Sequence, residues 1–297
     1  MNIDPSKLSV SGVSSGAGMA TQFHFAHSSK LLDAGLFAGS PYMCGYAGAL
    51  AGISCATKPE LVNVPWLITQ ANSLDAAGII DSTANLRVSK VYIFHGSKET
   101  TVLPESGKNT MTMYEHYGAK IKTEFGVVAE HCQPTDNYGG ECGTISPKTG
   151  FLNNCGYNGA FEALNYIHGG ELIRPTSSTK AVGDLRLFDQ SEFFNNKPKL
   201  ASMDESGFVY IPTACKNGTQ CALHVAFHGC TQNRETYADM YPMKGGYLEV
   251  AELNNIIILF PQIAKTASNP HACWDYWYVF STNYIFLTFP CIKRFAK

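Results

Sequence analysis

An α/β fold with a mostly parallel sheet and helices on both faces is predicted by three features of the sequence. Leu8 to Ser28 read as an apolar strand, a tight turn at Gly12-Val13-Ser14-Ser15-Gly16 and a helix-compatible run. Strand-like and helix-like runs then alternate along most of the chain, the pattern of parallel strands joined by crossover helices. Apolar residues make up 45% and charged residues 15% of the 297, enough to bury a sizeable core and too apolar for a disordered or coiled-coil chain.

Met19, Phe23 and His27 recur at helical spacing directly after the turn. Ala34 to Gly39 reads as a short buried strand, Lys90 to Phe94 as a clearer one, and Ile121 to Val128 as a third, with a helix around Glu105 to Tyr117 between the last two. Cys44 to Pro65 and Cys132 to Cys155 read as loop-rich insertions, the kind of segment that carries specificity. After a helix at Gly159 to His168, the polar stretch Gly169 to Ser206 is too long for an ordinary loop; with one strand-like piece at Asp184 to Phe188, it is a linker or an excursion packed on the sheet. Strands at Phe208 to Ile211, Leu223 to Phe227 and Ile256 to Phe260, with a helix within Glu235 to Leu253, resume the alternation. The expected organisation is a single domain over 1–297: 1–169, a connecting excursion at 170–206, and 207–297.

Basic and acidic residues balance at 22 and 24 without a cationic run, which argues against a nucleic-acid partner. The longest apolar stretch, Tyr276 to Phe289, is interrupted by Ser281, Thr282 and Asn283 and falls short of the ~20 residues of a membrane span. Ten cysteines, several in close pairs (Cys44 with Cys55, Cys142 with Cys155, Cys215 with Cys221), suit loop-stapling disulfides and an oxidising compartment, with connectivity left open. Zinc spacing is missing, and no metal is expected. Met1 to Lys7 is polar, so an exported chain has either lost its leader or leaves by another route.

The turn at Gly12 to Gly16 is a G-x-S-x-G pattern, which exposes a serine nucleophile at the top of an α/β-hydrolase sheet. A serine hydroxyl needs a base to take its proton, and the base needs a carboxylate to fix its tautomer. Glu99 follows the strand Lys90 to Phe94, and His131 follows Ile121 to Val128, so Ser14, Glu99 and His131 stand in the hydrolase order of nucleophile, acid, base. Ser15 lies beside the middle position of the pattern; Glu130 and Asp136 are rival acids close to His131. One oxyanion donor should be the N–H of Ser15, the residue after the nucleophile. The second is expected from a His-Gly loop, found far downstream in Leu223 to Gln232, where Cys230 is the candidate donor and His228 a structural strand-end residue. Asn254 to Gln262 has the character of the strand that normally precedes the elbow strand. The two halves of the fold are thus in reversed chain order, and a circularly permuted α/β-hydrolase is predicted.

Together these residues resemble the fungal-type extracellular poly(3-hydroxybutyrate) depolymerases, a circularly permuted branch of the α/β-hydrolases. The resemblance runs over most of the chain: SVSGVSSGAGMA, GLFAGSPYMC, VYIFHGSKETTV, the His131 loop, NNCGYNGAFEALNYI, GFVYIPTAC, LHVAFHGCTQ, NNIIILFPQ and ACWDYW. It implies a secreted serine esterase that cleaves polyester chains to oligomers and monomers, without metal or organic cofactor. Ser14, Glu99 and His131 would form the triad, Ser15 and Cys230 the oxyanion hole. Trp274 would stand beside the crevice to bind substrate, held by a Cys230 to Cys273 disulfide. Two features depart from the family: aspartate is usual where this chain has Glu99, whose extra methylene demands a shifted loop, and the sequence after Trp277 is aromatic where a polar segment and final helix are expected, which would leave a sheet face uncovered. Cys132 and Cys291 lack obvious partners.

The leading expectation is a monomeric, extracellular esterase acting on polyhydroxyalkanoate. A carboxylesterase for small or carbohydrate-linked esters, and a catalytically impaired polymer-binding homologue, are the alternatives; Asn217-Gly218-Thr219 is a lone glycosylation sequon.

Overall fold

The computed structural model describes residues 1–31 and 33–275. The expectations placed beyond them, the divergent end after Trp277 and the pairing of Cys291, lie outside the described residues.

Eleven strands are present among the described residues: β1 (Ile3–Val13), β2 (Asp33–Phe37), β3 (Lys90–Phe94), β4 (Lys120–Glu124), β5 (Gln133–Thr135), β6 (Gly140–Glu141), β7 (Leu152–Asn154), β8 (Asp184–Asp189), β9 (Ser206–Ile211), β10 (Cys221–Phe227) and β11 (Ile256–Phe260). Eight of them form one sheet in the order β4-β3-β2-β1-β10-β11-β9-β8. The six from β4 to β11 are parallel, while β9 and β8 add antiparallel. Strand β1 lies in the middle, with Val10 opposite Ala34 on one side and Val225 on the other. The chain runs outward from β1 to the β4 edge, then crosses to the β8 edge and works back to β10. Reading from β8 to β11 and then from β1 to β4 restores an ordinary hydrolase sheet, so the chain is a circularly permuted α/β-hydrolase.

Period-two patterning gives the sheet two apolar faces, both covered. Val91 and Ile93 of β3, Leu223 and Val225 of β10, and Ile257 and Leu259 of β11 point to one core; Tyr92, Phe94, Ala226, Ile258 and Phe260 point to the other. Helices α1 (Ser15–Ala26), α2 (Ala49–Thr57), α3 (Val64–Ala76) and α4 (Pro104–His116) serve the first core through residues such as Phe23, Cys55, Leu67 and Met113. Helix α5 (Gly159–Ile167), started by Asn158 capping the Phe161 N–H, covers the second with Phe161 and Leu164. Three short helices follow the single turn α6 (Thr213–Lys216): α7 (Arg234–Tyr237), α8 (Met240–Lys244) and α9 (Leu248–Asn254), which adds Val250 and Ala251 to the second core.

Two expectations need correction. Cys44 to Pro65 is not mainly loop: it holds α2 and the start of α3. Only Gly52 and Cys55 of α2 are buried while Leu50 and Ile53 stay exposed, so its apolar residues form no core-facing stripe, and the Cys44–Cys55 disulfide ties its base down instead. The helix expected within Glu235 to Leu253 is three pieces, interrupted at Ala238 (φ 54°) and at Gly245-Gly246. The excursion after α5 contributes β8 to the sheet edge and packs Phe194, Ala201 and Met203 into the core.

Disulfides join Cys44 to Cys55, Cys142 to Cys155, Cys215 to Cys221 and Cys230 to Cys273, while Cys132 is free and buried.

Candidate active site

Ser14 sits between β1 and α1 with φ 57° and ψ −124°, a backbone region that costs a non-glycine residue about 1–3 kcal/mol. The turn is over-determined by its surroundings. The Ser14 N–H donates to the Phe37 carbonyl at 2.8 Å, and Ala17 and Gly18 donate to the Ser14 carbonyl as α1 begins. The flanking glycines are demanded by close approach: a Cβ on Gly12 would stand 2.2 Å from the Gly16 oxygen, and one on Gly16 would stand 2.4 Å from the carbonyl oxygens of Phe227 and His228. The Ser14 side chain makes no cap bond to α1, which leaves its hydroxyl available.

The loops after β3 and β4 run side by side and are joined along their backbones. His95 N–H donates to Glu124 O, Ser97 N–H to Val127 O and Lys98 N–H to Ala129 O. Gly96 permits this, because a Cβ there would lie 2.0 Å from the Ala129 oxygen. Glu99 and His131 are carried in this stitched pair. Oε2 of Glu99 lies 2.8 Å from Nδ1 of His131, and Oε1 accepts the N–H groups of Thr101 and Val102 at 2.8 and 2.9 Å. Burial by itself would raise the Glu99 carboxyl, but the hydrogen bond and charge of His131 and the two backbone donors outweigh it and hold the group below its ordinary value. In the neutral tautomer that donates its Nδ1–H to this carboxylate, Nε2 of His131 is an acceptor. The extra methylene of glutamate is therefore taken up within the loop, and the carboxylate makes full contact.

Glu130 and Asp136 do not compete for the imidazole. Both oxygens of Glu130 are occupied by Thr100 and by the backbone N–H of His131, and Asp136 is exposed beside a separate cavity.

The loop after β10 reaches Ser14 from the opposite side. Gly229 packs so close that a Cβ on it would be 3.2 Å from the Ser14 Cβ, which brings Cys230 to the candidate nucleophile. Ser15 opens α1, so its N–H is one of the donors a helix start leaves unsatisfied. His228 is fully buried: Nδ1 donates to the Gly229 carbonyl at 2.7 Å and Nε2 accepts the Ile263 N–H at 3.3 Å, while burial pushes the ring down to about 4. That is a neutral, loop-holding histidine. Gln232 accepts from the Gly229 N–H and donates to the Gly150 carbonyl, which ties this loop to the His131 insertion. No local pattern in the sequence pointed to this role, because its partner is 82 positions away.

Two cavities open on either side of Ser14. One, of about 290 Å³, is lined by Ser14, His131, Phe151, Cys230 and His271. The other, of about 220 Å³, is lined by Ser14, Ser15, Ala38, Ile53, Ala56 and Val102. Thr101 and Cys230 border both. Trp274 does not line either. It is fully buried against Phe227 and His228, at ring-centroid distances of 4.5 and 5.5 Å, and its backbone N–H donates to the Ser15 hydroxyl oxygen at 3.2 Å. Trp274 thus packs behind the elbow, and its neighbour Cys273 faces the first cavity.

No family model matches the chain. It is 33% identical over 290 residues to the poly(3-hydroxybutyrate) depolymerase of Delftia acidovorans, covering 96% of this chain and 57% of that protein, so it spans little more than half of that relative. It is also 33% identical over 300 residues to the polyhydroxybutyrate depolymerase of Talaromyces funiculosus, covering 93% of this chain and 84% of that one. Among solved structures, PHB depolymerase from Penicillium funiculosum and a serine-to-alanine PHB depolymerase complexed with an R3HB trimer each superpose with a TM-score of 0.84 at 31% identity, covering 96% of this chain and 91% of theirs. A permuted sheet, an elbow at its centre and sequence similarity over nearly the whole chain lead to one conclusion: the chain belongs to the polyhydroxybutyrate depolymerase family.

Proposed function

We propose that the chain is an extracellular, monomeric serine esterase that hydrolyses the ester bonds of poly(3-hydroxybutyrate) or a related polyhydroxyalkanoate. The observation that carries this reading is the Glu99–His131 contact at 2.8 Å, with His131 lining the same cavity as the strained Ser14. A related chain of the same fold is described in complex with an R3HB trimer, which supports the substrate class. Four disulfides among the described residues suit an oxidising compartment.

In the proposed reaction His131 Nε2 takes the Ser14 proton as Oγ attacks the ester carbonyl, and Glu99 stabilises the imidazolium. The N–H groups of Ser15 and Cys230 receive the negative charge on the carbonyl oxygen; one such donor is worth about 10²–10³ in rate. The imidazolium then protonates the ester oxygen of the leaving group as its C–O bond breaks, so that it departs as an alcohol and leaves an acyl-serine. Water activated by the same imidazole cleaves that ester and frees the carboxylic acid. The cavity bearing His131 suits the leaving alcohol, which needs its proton; the cavity bearing Ile53 and Ala56 suits the acyl part.

A fluorophosphonate probe tests the chemistry: it should label the wild-type chain and fail with Ser14→Ala and with His131→Ala. An unlabelled, well-folded wild type overturns the reading. Clearing of a poly(3-hydroxybutyrate) suspension tests the substrate, and hydrolysis confined to soluble short-chain esters would reassign it as a small-ester carboxylesterase.

A further inference from the structure

We propose that Glu130 is a positioning residue, whose carboxylate locks the acid loop to the base loop and so fixes the contact between Glu99 and His131. The inference rests on the esterase reading for its kinetic consequences. Glu130 is buried, 7% exposed. Its Oε1 accepts the Thr100 hydroxyl; its Oε2 accepts the Thr100 N–H at 3.4 Å and the N–H of His131 itself. Thr100 immediately follows Glu99, and Glu130 immediately precedes His131. One carboxylate therefore bridges the neighbours of the acid and the base, in parallel with the Glu99–His131 bond. Its own N–H is fixed by the Cys142 carbonyl at 2.9 Å, in the insertion stapled by the Cys142–Cys155 disulfide.

The chemistry of the group suits this role. All three partners are donors, and a carboxylate is acceptor-only, so it satisfies them together. Glutamine would turn an amide N–H₂ toward one of these donors and leave it unpaired in a buried site, and aspartate would fall short by a methylene. The geometry also separates the two glutamates: Glu99 orients the imidazole ring, and Glu130 orients the backbone that carries it. The loop strand His95 to Lys98 already sets a register between the two loops through its backbone bonds, but those end at Ala129. The clamp carries the register two residues further, to His131.

The test uses Thr100→Val and Glu130→Gln in the full chain, with p-nitrophenyl butyrate as substrate. A misplacement of the base should lower kcat about 10²-fold while KM stays nearly unchanged, because the interaction lost matters in the transition state. Thr100→Ser, which keeps the hydroxyl, should restore most of the activity. Two readouts lie beyond a merely structural role. The acidic limb of the kcat/KM profile should move to lower pH, since a loosened carboxylate stabilises the imidazolium less; the ionisable groups around the ring, among the described residues, are Glu99, Glu130, His95, Cys132 and, on the same cavity, His271. The downfield proton resonance of the His131 Nδ1–H should weaken or vanish in both variants. That resonance is independent of turnover, so it reports on the clamp even if the wild type proves inactive, a result that would overturn the esterase reading alone. Where Glu130→Gln does not fold, Thr100→Val decides: wild-type kcat, an unmoved acidic limb and an intact downfield proton in that variant overturn the proposal.

Discussion

Glu99 holds His131 with one carboxylate oxygen, 2.8 Å from Nδ1, while its other oxygen is gripped by the turn that follows it, through Thr101 and Val102. The carboxylate is thus fixed from two directions before it touches the imidazole. Glu99→Gln keeps the shape but removes the charge and favours the wrong tautomer, and kcat should fall by about 10³–10⁴. Glu99→Asp should retract the carboxylate from the ring and cost about tenfold or more. Steady-state kinetics on a soluble ester, with circular dichroism as a folding control, measures both; a fully active Glu99→Gln would remove this residue from the mechanism.

Cys230 and Cys273 are joined across the loop that brings Cys230 to Ser14. Breaking this disulfide with Cys273→Ser should lower kcat as well as stability, the latter by about 2–4 kcal/mol. The Cys215–Cys221 bond lies at the other end of β10, away from Ser14, and Cys215→Ser should affect only the unfolding midpoint. Parallel measurement of kcat and thermal unfolding separates the two; equal activity losses would refute the assignment of Cys230.

Ile53 and Ala56 face the cavity assigned to the acyl part. Ala56→Leu should fill it, lowering kcat/KM for a butyryl ester relative to an acetyl ester by roughly tenfold, within the ~10–200-fold range that a methylene or so commands in such pockets. Ile53→Ala should favour longer acyl chains. An unchanged acyl preference in both variants would move the acyl part to the His131 side.

Three buried histidines, His95, His224 and His228, and the half-buried His168 should make stability fall in acid. Burial lowers His95, His168 and His228 to about 4 and His224 to about 3, below the ordinary value of 6.5. The unfolded chain therefore binds more protons than the folded one between roughly pH 6.5 and the folded values, and stability present above pH 6.5 is lost as pH falls through that window. Asp33 acts in the opposite sense. Burial raises its carboxyl to about 6 from 3.8, so it favours the folded state at low pH, and that contribution is lost as pH rises through 6. The histidines outnumber it, and the melting temperature should drop steeply from pH 7 to pH 4. His168→Gln should flatten the slope, since its Nε2 has no partner among the described residues; a flat melting profile in the wild type would contradict the burial account.

The sheet was legible because its strands carry dense β-branched and aromatic runs, such as KVYIF in β3 and IIILF in β11, and because G-x-S-x-G fixes where one of them ends. Helix α2 was not, because ALAGISCAT buries only two residues and its order comes from a disulfide and from neighbours far along the chain. The same distinction runs through the site. Ser14, Glu99 and His131 announce themselves by order and strand-end position. Gln232 and Glu130 act through backbone groups of other loops, and pairing of that kind leaves no period or motif behind. Trp274 is legible only in part: a large aromatic beside a cysteine of the crevice is equally at home in the wall or behind it, and its packing against Phe227 comes from residues far along the chain.

The central place of β1 has a cost during synthesis. Its outer neighbours β2, β3 and β4 follow within 124 residues, but the strand that covers its other edge, β10, begins only at Cys221. Until then a growing chain presents the open edge of its central strand, the kind of edge that recruits other strands and leads to aggregation. The permutation that brings the candidate nucleophile to the front of the sequence therefore makes the middle of the sheet one of the last parts to close, and it ties assembly of the site to the completion of the whole fold.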